Sequence, residues 1–366
     1  MSQNRNVMAR EDAQRADAEH ARVYQWLQAE FQTKLGVPAV LEQSEKKWSA
    51  WREAEDKRAF TWHGTGQEFY HATLRRRLTR ERTSGLLLFG ASLSAPSGLL
   101  PDPKTLASSA VLVTRLWKAA HAFIVDSDYP GIKEDWPRLT NEVQRTWFAY
   151  CASEVALWSA QHRAYVQDAV CVRLNAECSR VMYGYLDAAE RDQLEAEEVR
   201  RCEEELKKVF AYVMSGVGGK PATVTALRNS QQAWLAFRSA DVTMWASQFE
   251  TKANGGFSRL HQTHERSSQL LRDRIAELLL FFTGSVVLGT GSDLAASEKL
   301  LNSLWDYEKS VASTDTEQAR AKRAQRTWLA YRDAELALWK RTRSNLNAVR
   351  ARLTWERARH LASGYD

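Results

Sequence analysis

The chain has 366 residues, with 51 Lys and Arg against 45 Asp and Glu, a formal net charge of +6. A composition that is 44% hydrophobic and 26% charged excludes a disordered or fibrous chain, and the length suits more than one domain, each with a core of its own. Only 7 Pro and 17 Gly punctuate it, so long helices are expected, and the 14 Trp are the departure from ordinary usage that needs a cause.

The first residues, Met1 to Asp12, contain no apolar run of the kind an export signal carries. The expectation is therefore a periplasmic protein if Met1 follows a removed signal, and otherwise a cytoplasmic one. Further along, a Trp-rich pattern appears and returns three times. It reads Trp48-Ser-Ala-Trp51-Arg52-Glu-Ala-Glu55, then Trp147-Phe-Ala-Tyr150-Cys151-Ala-Ser-Glu154. The third and fourth copies are Trp234-Leu-Ala-Phe237-Arg238-Ser-Ala-Asp241 and Trp328-Leu-Ala-Tyr331-Arg332-Asp-Ala-Glu335. The first Trp residues are 99, 87 and 94 apart, and copies two to four add Trp158, Trp245 and Trp339 eleven residues on. Positions i, i+3, i+4, i+7 and i+11 share one side of a helix, so each copy predicts a helix with an aromatic core stripe.

After each stripe comes a second element. It is Thr79-Arg-Glu81-Arg82 in copy one, Asn175-Ala-Glu177-Cys178 in copy two, Thr263-His-Glu265-Arg266 in copy three and Thr354-Trp-Glu356-Arg357 in copy four. Stripe and second element predict an antiparallel αα-hairpin. A larger period lies above this one: Leu86-Leu-Leu-Phe89 recurs as Leu278-Leu-Leu-Phe281, and Gln144-Arg-Thr-Trp147 as Gln325-Arg-Thr-Trp328. The fold class expected is all-α, built of tandem antiparallel helical hairpins or bundles. The duplicated two-repeat unit divides into domains 1–190 and 191–366. Two apolar stretches, 86–100 and 278–288, are too short and too interrupted by Gly, Ser and Pro to span a bilayer.

The repeated polar residues suggest a structural clamp. Arg52, Arg238 and Arg332 each precede an acid by three residues, and Glu81, Glu265 and Glu356 directly precede Arg82, Arg266 and Arg357. Facing helices would let these guanidiniums and carboxylates pair across the hairpin. Copy two has Cys151 and Cys178 in both Arg positions. These are either a disulfide that takes over the clamp or two free buried thiols. Arg75-Arg76-Arg77 and the segment 341–359 are the most basic tracts, and neither lies in a nucleic-acid motif. There is no HExxH, GxSxG or dinucleotide GxGxxG, and His261 and His264 have no third ligand nearby in sequence, so no enzyme, metal or cofactor is expected.

The run Gln-Arg-Thr-Trp-Leu-Ala-Tyr-Arg-Asp-Ala-Glu at 325–335, followed by Leu353-Thr354-x-x-Arg357 and preceded by Leu301-Asn302, resembles the LprI-type lysozyme-inhibitor family of bacterial envelope proteins. The resemblance is strongest in copy four, good in copy three and weaker in copies one and two. It implies an all-helical, non-enzymatic protein that binds and blocks a bacterial cell-wall lytic enzyme or a secreted antibacterial toxin by steric occlusion. A positive chain suits a partner with acidic patches better than a strongly basic lysozyme. That favours an immunity protein, and the alternative is a helical adaptor or chaperone for a secreted effector. Loops between stripe and second helix differ in every copy, and loops on a rigid scaffold commonly bind. The candidate contacts are Trp62, His63, Phe69 and Tyr70 in copy one, and Asn254 and Phe257 in copy three.

Overall fold

Each Trp stripe sits on a long helix, and Pro137 is the one proline inside a stripe helix rather than in its first turn. The computed structural model describes residues 2–34, 36–60, 67–92, 99–123, 130–160, 166–182, 185–248, 259–284, 293–342 and 344–362. Among these it shows twelve α-helices and no strand: α1 (Ser2–Phe31), α2 (Val37–Phe60), α3 (Gln67–Ser92), α4 (Leu106–Ala122), α5 (Pro130–Ser159), α6 (Val166–Met182), α7 (Ala188–Gly216), α8 (Pro221–Gln248), α9 (Arg259–Thr283), α10 (Leu294–Val311), α11 (Asp315–Trp339) and α12 (Leu346–Ala362). Pro130 and Pro221 open helices, where the missing N–H costs nothing. Thr314 caps α11 in a full capping box with Glu317, and Gly284 follows α9 with φ +89°, a conformation that favours glycine. No described helix is long and apolar enough to cross a membrane.

The chain forms two compact units, Met1–Asp187 and Ala188–Asp366. Both contain the same packing pairs: α1 on α3, α2 on α5 and α4 on α6 in the first, α7 on α9, α8 on α11 and α10 on α12 in the second. The outer helices of each triplet pair with one another, while the middle helix packs most extensively on the middle helix of the neighbouring triplet. The repeat is therefore three helices, and the expected hairpin is only the last two of them. The aromatic stripe explains the difference, because it is filled from the neighbouring copy. Trp51 lies 4.7 Å from Trp147 and 5.4 Å from Tyr150 between ring centroids, and Phe237 stacks on Tyr331 at 5.8 Å. Ser44 meets Glu154 while Trp51 meets Trp147, so α2 and α5 run antiparallel. Ser230 with Glu335 and Phe237 with Tyr331 show the same for α8 and α11.

The contact of α1 with α3 gives Trp26, which belongs to no stripe, its place. A Cβ at Gly90 would come within 2.6 Å of the Trp26 ring. In the second unit the contact is filled the other way. Tyr212 packs 4.7 Å from Phe282, and it is Gly216 of α7 whose missing Cβ leaves room, at 2.6 Å, for the Phe282 ring. Gly90→Ala should therefore destabilise the first unit by about 1–3 kcal/mol through overpacking. Thermal unfolding measures this, and a melting temperature equal to that of the parent chain contradicts it.

Candidate functional site

In the first unit the charged residues of the repeat converge between the middle helices. Arg82 of α3 is fully buried and donates to Glu154 of α5, to Ser44 Oγ at 2.9 Å and to Glu45 Oε2 at 3.2 Å, the last two on α2. Ser44 also donates to Glu154, and Arg173 of α6 reaches the other carboxylate oxygen at 3.2 Å. Burial alone would raise the Glu154 pKa, but Arg82 and Arg173 outweigh it and hold the carboxyl below its ordinary value. The clamp thus joins helices of two different copies.

The second unit repeats this network with a register that the sequence pattern misses. Arg274 of α9, not Arg266, occupies the place of Arg82: it donates to Glu335 at 2.9 Å, to Ser230 at 2.8 Å and to Gln231 at 3.0 Å. Asp273 correspondingly takes the place of Glu81, since Arg180 pairs with Glu81 at 2.6 Å and Arg359 with Asp273 at 2.6 Å. The motif Thr263-His-Glu265-Arg266 is a look-alike two helical turns earlier on the same side of α9. Glu265 is half exposed and lies 3.8 Å from His261. Arg266 does pair within its hairpin, with Asp241 at 2.6 Å, and Asp241 also receives Arg357 from the other copy. Burial works against ionisation there, yet Arg266 and Arg357 lower the Asp241 pKa to about 2.

The stripe arginines have other partners than those expected. Arg52 donates to Asp17 of α1 at 3.0 Å and to Thr79 at 3.1 Å, and Arg238 to Glu203 of α7 at 2.7 Å. Each tacks the middle helix to the helix before it. Arg332 pairs with its neighbour Asp333 at 2.8 Å, and Glu356 with Arg352 at 3.2 Å. The basic tract Arg75–Arg77 is spent in the same way: Arg75 bonds Asp17, Arg76 bonds Asp12 and Arg77 donates to the Arg180 carbonyl. Cys151 and Cys178 are free thiols, as are Cys171 and Cys202, and Cys178 Sγ lies 3.5 Å from the Met182 sulfur. A disulfide is not what holds copy two. Glu55, which would have faced an Arg at 178, is paired with Arg58 on its own helix at 2.7 Å instead.

One substitution separates the two networks. In the second unit Glu277 accepts from Tyr331 and lies 3.2 Å from Arg274. The first unit has Gly85 there, and a Cβ at Gly85 would sit 2.6 Å from Arg173 Nη1. Glycine makes room for the guanidinium that supports Glu154, and the Tyr150 hydroxyl and both oxygens of Glu177 make no hydrogen bond with any described residue. Burial pushes the Glu177 pKa up to about 7 and, with Glu356 nearby, that of Glu277 to about 8. Sequence reasoning missed Arg173, Arg274 and Glu277, because it took its register from the Thr-x-Glu-Arg look-alike at 263–266; the signal that could have found Arg274 was the repeated Leu-Leu-Leu-Phe run, which begins four residues after both Arg82 and Arg274.

Of the candidate contact residues, Trp62, His63, Asn254 and Phe257 lie outside the described residues. Phe69 and Tyr70 fall in the first turn of α3, Phe69 half-buried and Tyr70 exposed. The stripe residues themselves are interior: Trp48, Trp51, Trp147, Trp158 and Trp234 are fully buried.

With this three-helix frame in view, comparison with known families gives one match. The profile described as "Lysozyme inhibitor LprI" matches residues 1–86 and 178–278, just over half of the chain. The chain belongs to the lysozyme inhibitor LprI family. The first matched segment covers α1, α2 and most of α3, and the second begins at the end of α6 and covers α7, α8 and most of α9. The match therefore falls on copies one and three rather than most strongly on copy four. Those copies have the long first helix, 30 residues in α1 and 29 in α7, against 17 in α4 and 18 in α10. The two matched segments end at Leu86 and Leu278, which are the positions the structure makes equivalent. No curated protein and no solved structure matches the chain.

Two measurements probe the networks. Glu277 has a folded pKa above its unfolded value, so its contribution is whole below about pH 4.5 and is lost as pH climbs through about 8. Glu277→Gln should flatten the fall in stability across that window in chemical denaturation, and an unchanged slope contradicts the assignment. Asp241 behaves oppositely: its folded pKa is depressed, so its contribution is present above its ordinary value of 3.8 and is lost as pH falls towards about 2. Asp241→Asn should lower stability at neutral pH by several kcal/mol, because two buried guanidiniums lose their carboxylate, and the deficit should shrink in acid.

Proposed function

We propose that this chain is a non-enzymatic binding protein that neutralises a bacterial cell-envelope-targeting enzyme, a cell-wall lytic enzyme or a secreted antibacterial toxin, by covering its active cleft. Membership of the lysozyme inhibitor LprI family carries this reading. The buried networks support it. Arg82, Glu154 and Ser44, with their counterparts Arg274, Glu335 and Ser230, lie inside the units and join helices, which is what a rigid scaffold needs. The net charge of +6 favours a partner with acidic patches and argues for a dedicated immunity role, exercised in the periplasm where cell-wall enzymes act.

The expected outcome is that the purified chain inhibits lysis of peptidoglycan by such an enzyme stoichiometrically and co-elutes with it on gel filtration. Stoichiometric inhibition distinguishes occlusion from catalysis, since a catalyst would act well below equimolar amounts. Undiminished lysis by acidic and basic peptidoglycan hydrolases alike, with no complex, overturns the reading.

A further inference from the structure

The middle helices have a solvent side as well as a core side, and it too is repeated. Four positions at i, i+4, i+7 and i+11 share that side. They are Glu42, Lys46, Ser49 and Glu53 on α2; Asn141, Arg145, Phe148 and Ala152 on α5; Arg228, Gln232, Leu235 and Ser239 on α8; and Lys322, Arg326, Leu329 and Asp333 on α11. All but Ser49, which is half-buried, are exposed. On α2 the line is ordinary surface, with acids and bases interspersed and Lys57 pairing with Glu53. The other three helices place a large apolar side chain in the third position: Phe148 is 56% exposed, Leu235 49% and Leu329 36%.

Charge sorts the same helices. Most guanidiniums described above are tied to carboxylates, whereas Arg228, Lys322, Arg323 and Arg326 are exposed and make no ion pair with any described residue. The one acid on these two lines, Asp333, is already taken by Arg332. The second unit thus has two adjacent antiparallel helices, α8 and α11, each with an exposed leucine, preceded by Arg228 on α8 and by Lys322, Arg323 and Arg326 on α11. The first unit has one such line, on α5, where the exposed Arg145 lies one turn before Phe148, and α2 has no large apolar residue in the third position. Scattered exposed apolar residues are normal; the same slot filled on both central helices, with exposed cations on the N-terminal side of each leucine, is the pattern of an apolar anchor with a charged rim.

We propose that the outward lines of α8 and α11 are the docking face of this protein, and that its occupant is a protein surface rich in carboxylates around an apolar centre. The proposal rests on the binding function given above and assigns it to the second unit. Charge complementarity selects the occupant, because a basic lysozyme would meet four unpaired cations with like charge.

The test uses the full chain, with one acidic peptidoglycan hydrolase and one basic lysozyme as probes in calorimetric binding and lysis assays. Leu235→Ser with Leu329→Ser, which installs the residue copy one already has, should leave thermal unfolding unchanged and weaken binding of the acidic enzyme about tenfold or more. Lys322→Glu with Arg326→Glu should weaken it further and reduce its salt dependence, while Phe148→Ser leaves it unchanged. Undiminished binding by both double variants, loss confined to Phe148→Ser, or tighter binding of the basic enzyme overturns the assignment while the inhibitor reading stands. Failure of the parent chain to bind either enzyme overturns both.

Discussion

A guanidinium withdrawn from water must be met by a carboxylate, and this requirement organises both units. Arg82 and Arg274 are each enclosed completely, and each is met by an acid from the other copy's middle helix and a serine from its own. A single three-helix repeat leaves half of that network unfilled, so two copies must associate for either to be satisfied. Losing one partner of such a pair costs about 3–5 kcal/mol, far more than forming the pair contributes over an apolar replacement. The network consequently acts less as a source of stability than as a register: it admits one pairing of α2 with α5, and one of α8 with α11.

Duplication copied this arrangement and divergence then edited it. Where the second unit has Glu277 beside Arg274 and Tyr331, the first has Gly85, and Arg173 moves into the vacated space to reach Glu154. Where the second unit gives Asp241 two guanidiniums, the first has Cys178 in place of one and turns Glu55 onto Arg58. In both cases the charge count changes but the acid remains compensated. The same exchange appears in packing, where Trp26 against Gly90 in one unit becomes Tyr212 against Phe282, with space from Gly216, in the other.

With cores and networks occupied in holding helices together, the residues left for a partner are those the frame does not use. Chemically they are the loops and the solvent lines of the middle helices. The solvent lines have the more distinctive composition. Leu235 and Leu329 have apolar area that folding leaves in water, and the cations beside them make no ion pair with any described residue. Energy left unspent in folding in this way is available to association.

The sequence by itself determined the all-helical class, the fourfold stripe, the duplication and the family, because each is a property of period and residue type along one helix. Trp48, Trp147, Trp234 and Trp328 can be placed in the core from spacing alone. What lay across the interface was decided by tertiary structure. The packing of each repeat's first helix on its last, the pairing of middle helices between copies, and the free state of Cys151 and Cys178 depend on which side chains meet from distant segments. Arg266 and Arg274 lie two turns apart on one side of one helix, and two sequence patterns disagree about them: the Thr-x-Glu-Arg match selects Arg266, whereas the Leu-Leu-Leu-Phe run that follows selects Arg274; the positions of Ser230 and Glu335 decide for Arg274. A helix repeats its own geometry in sequence, but the partner of a buried charge is fixed by packing, where desolvation makes the alternative pairing too costly to hold.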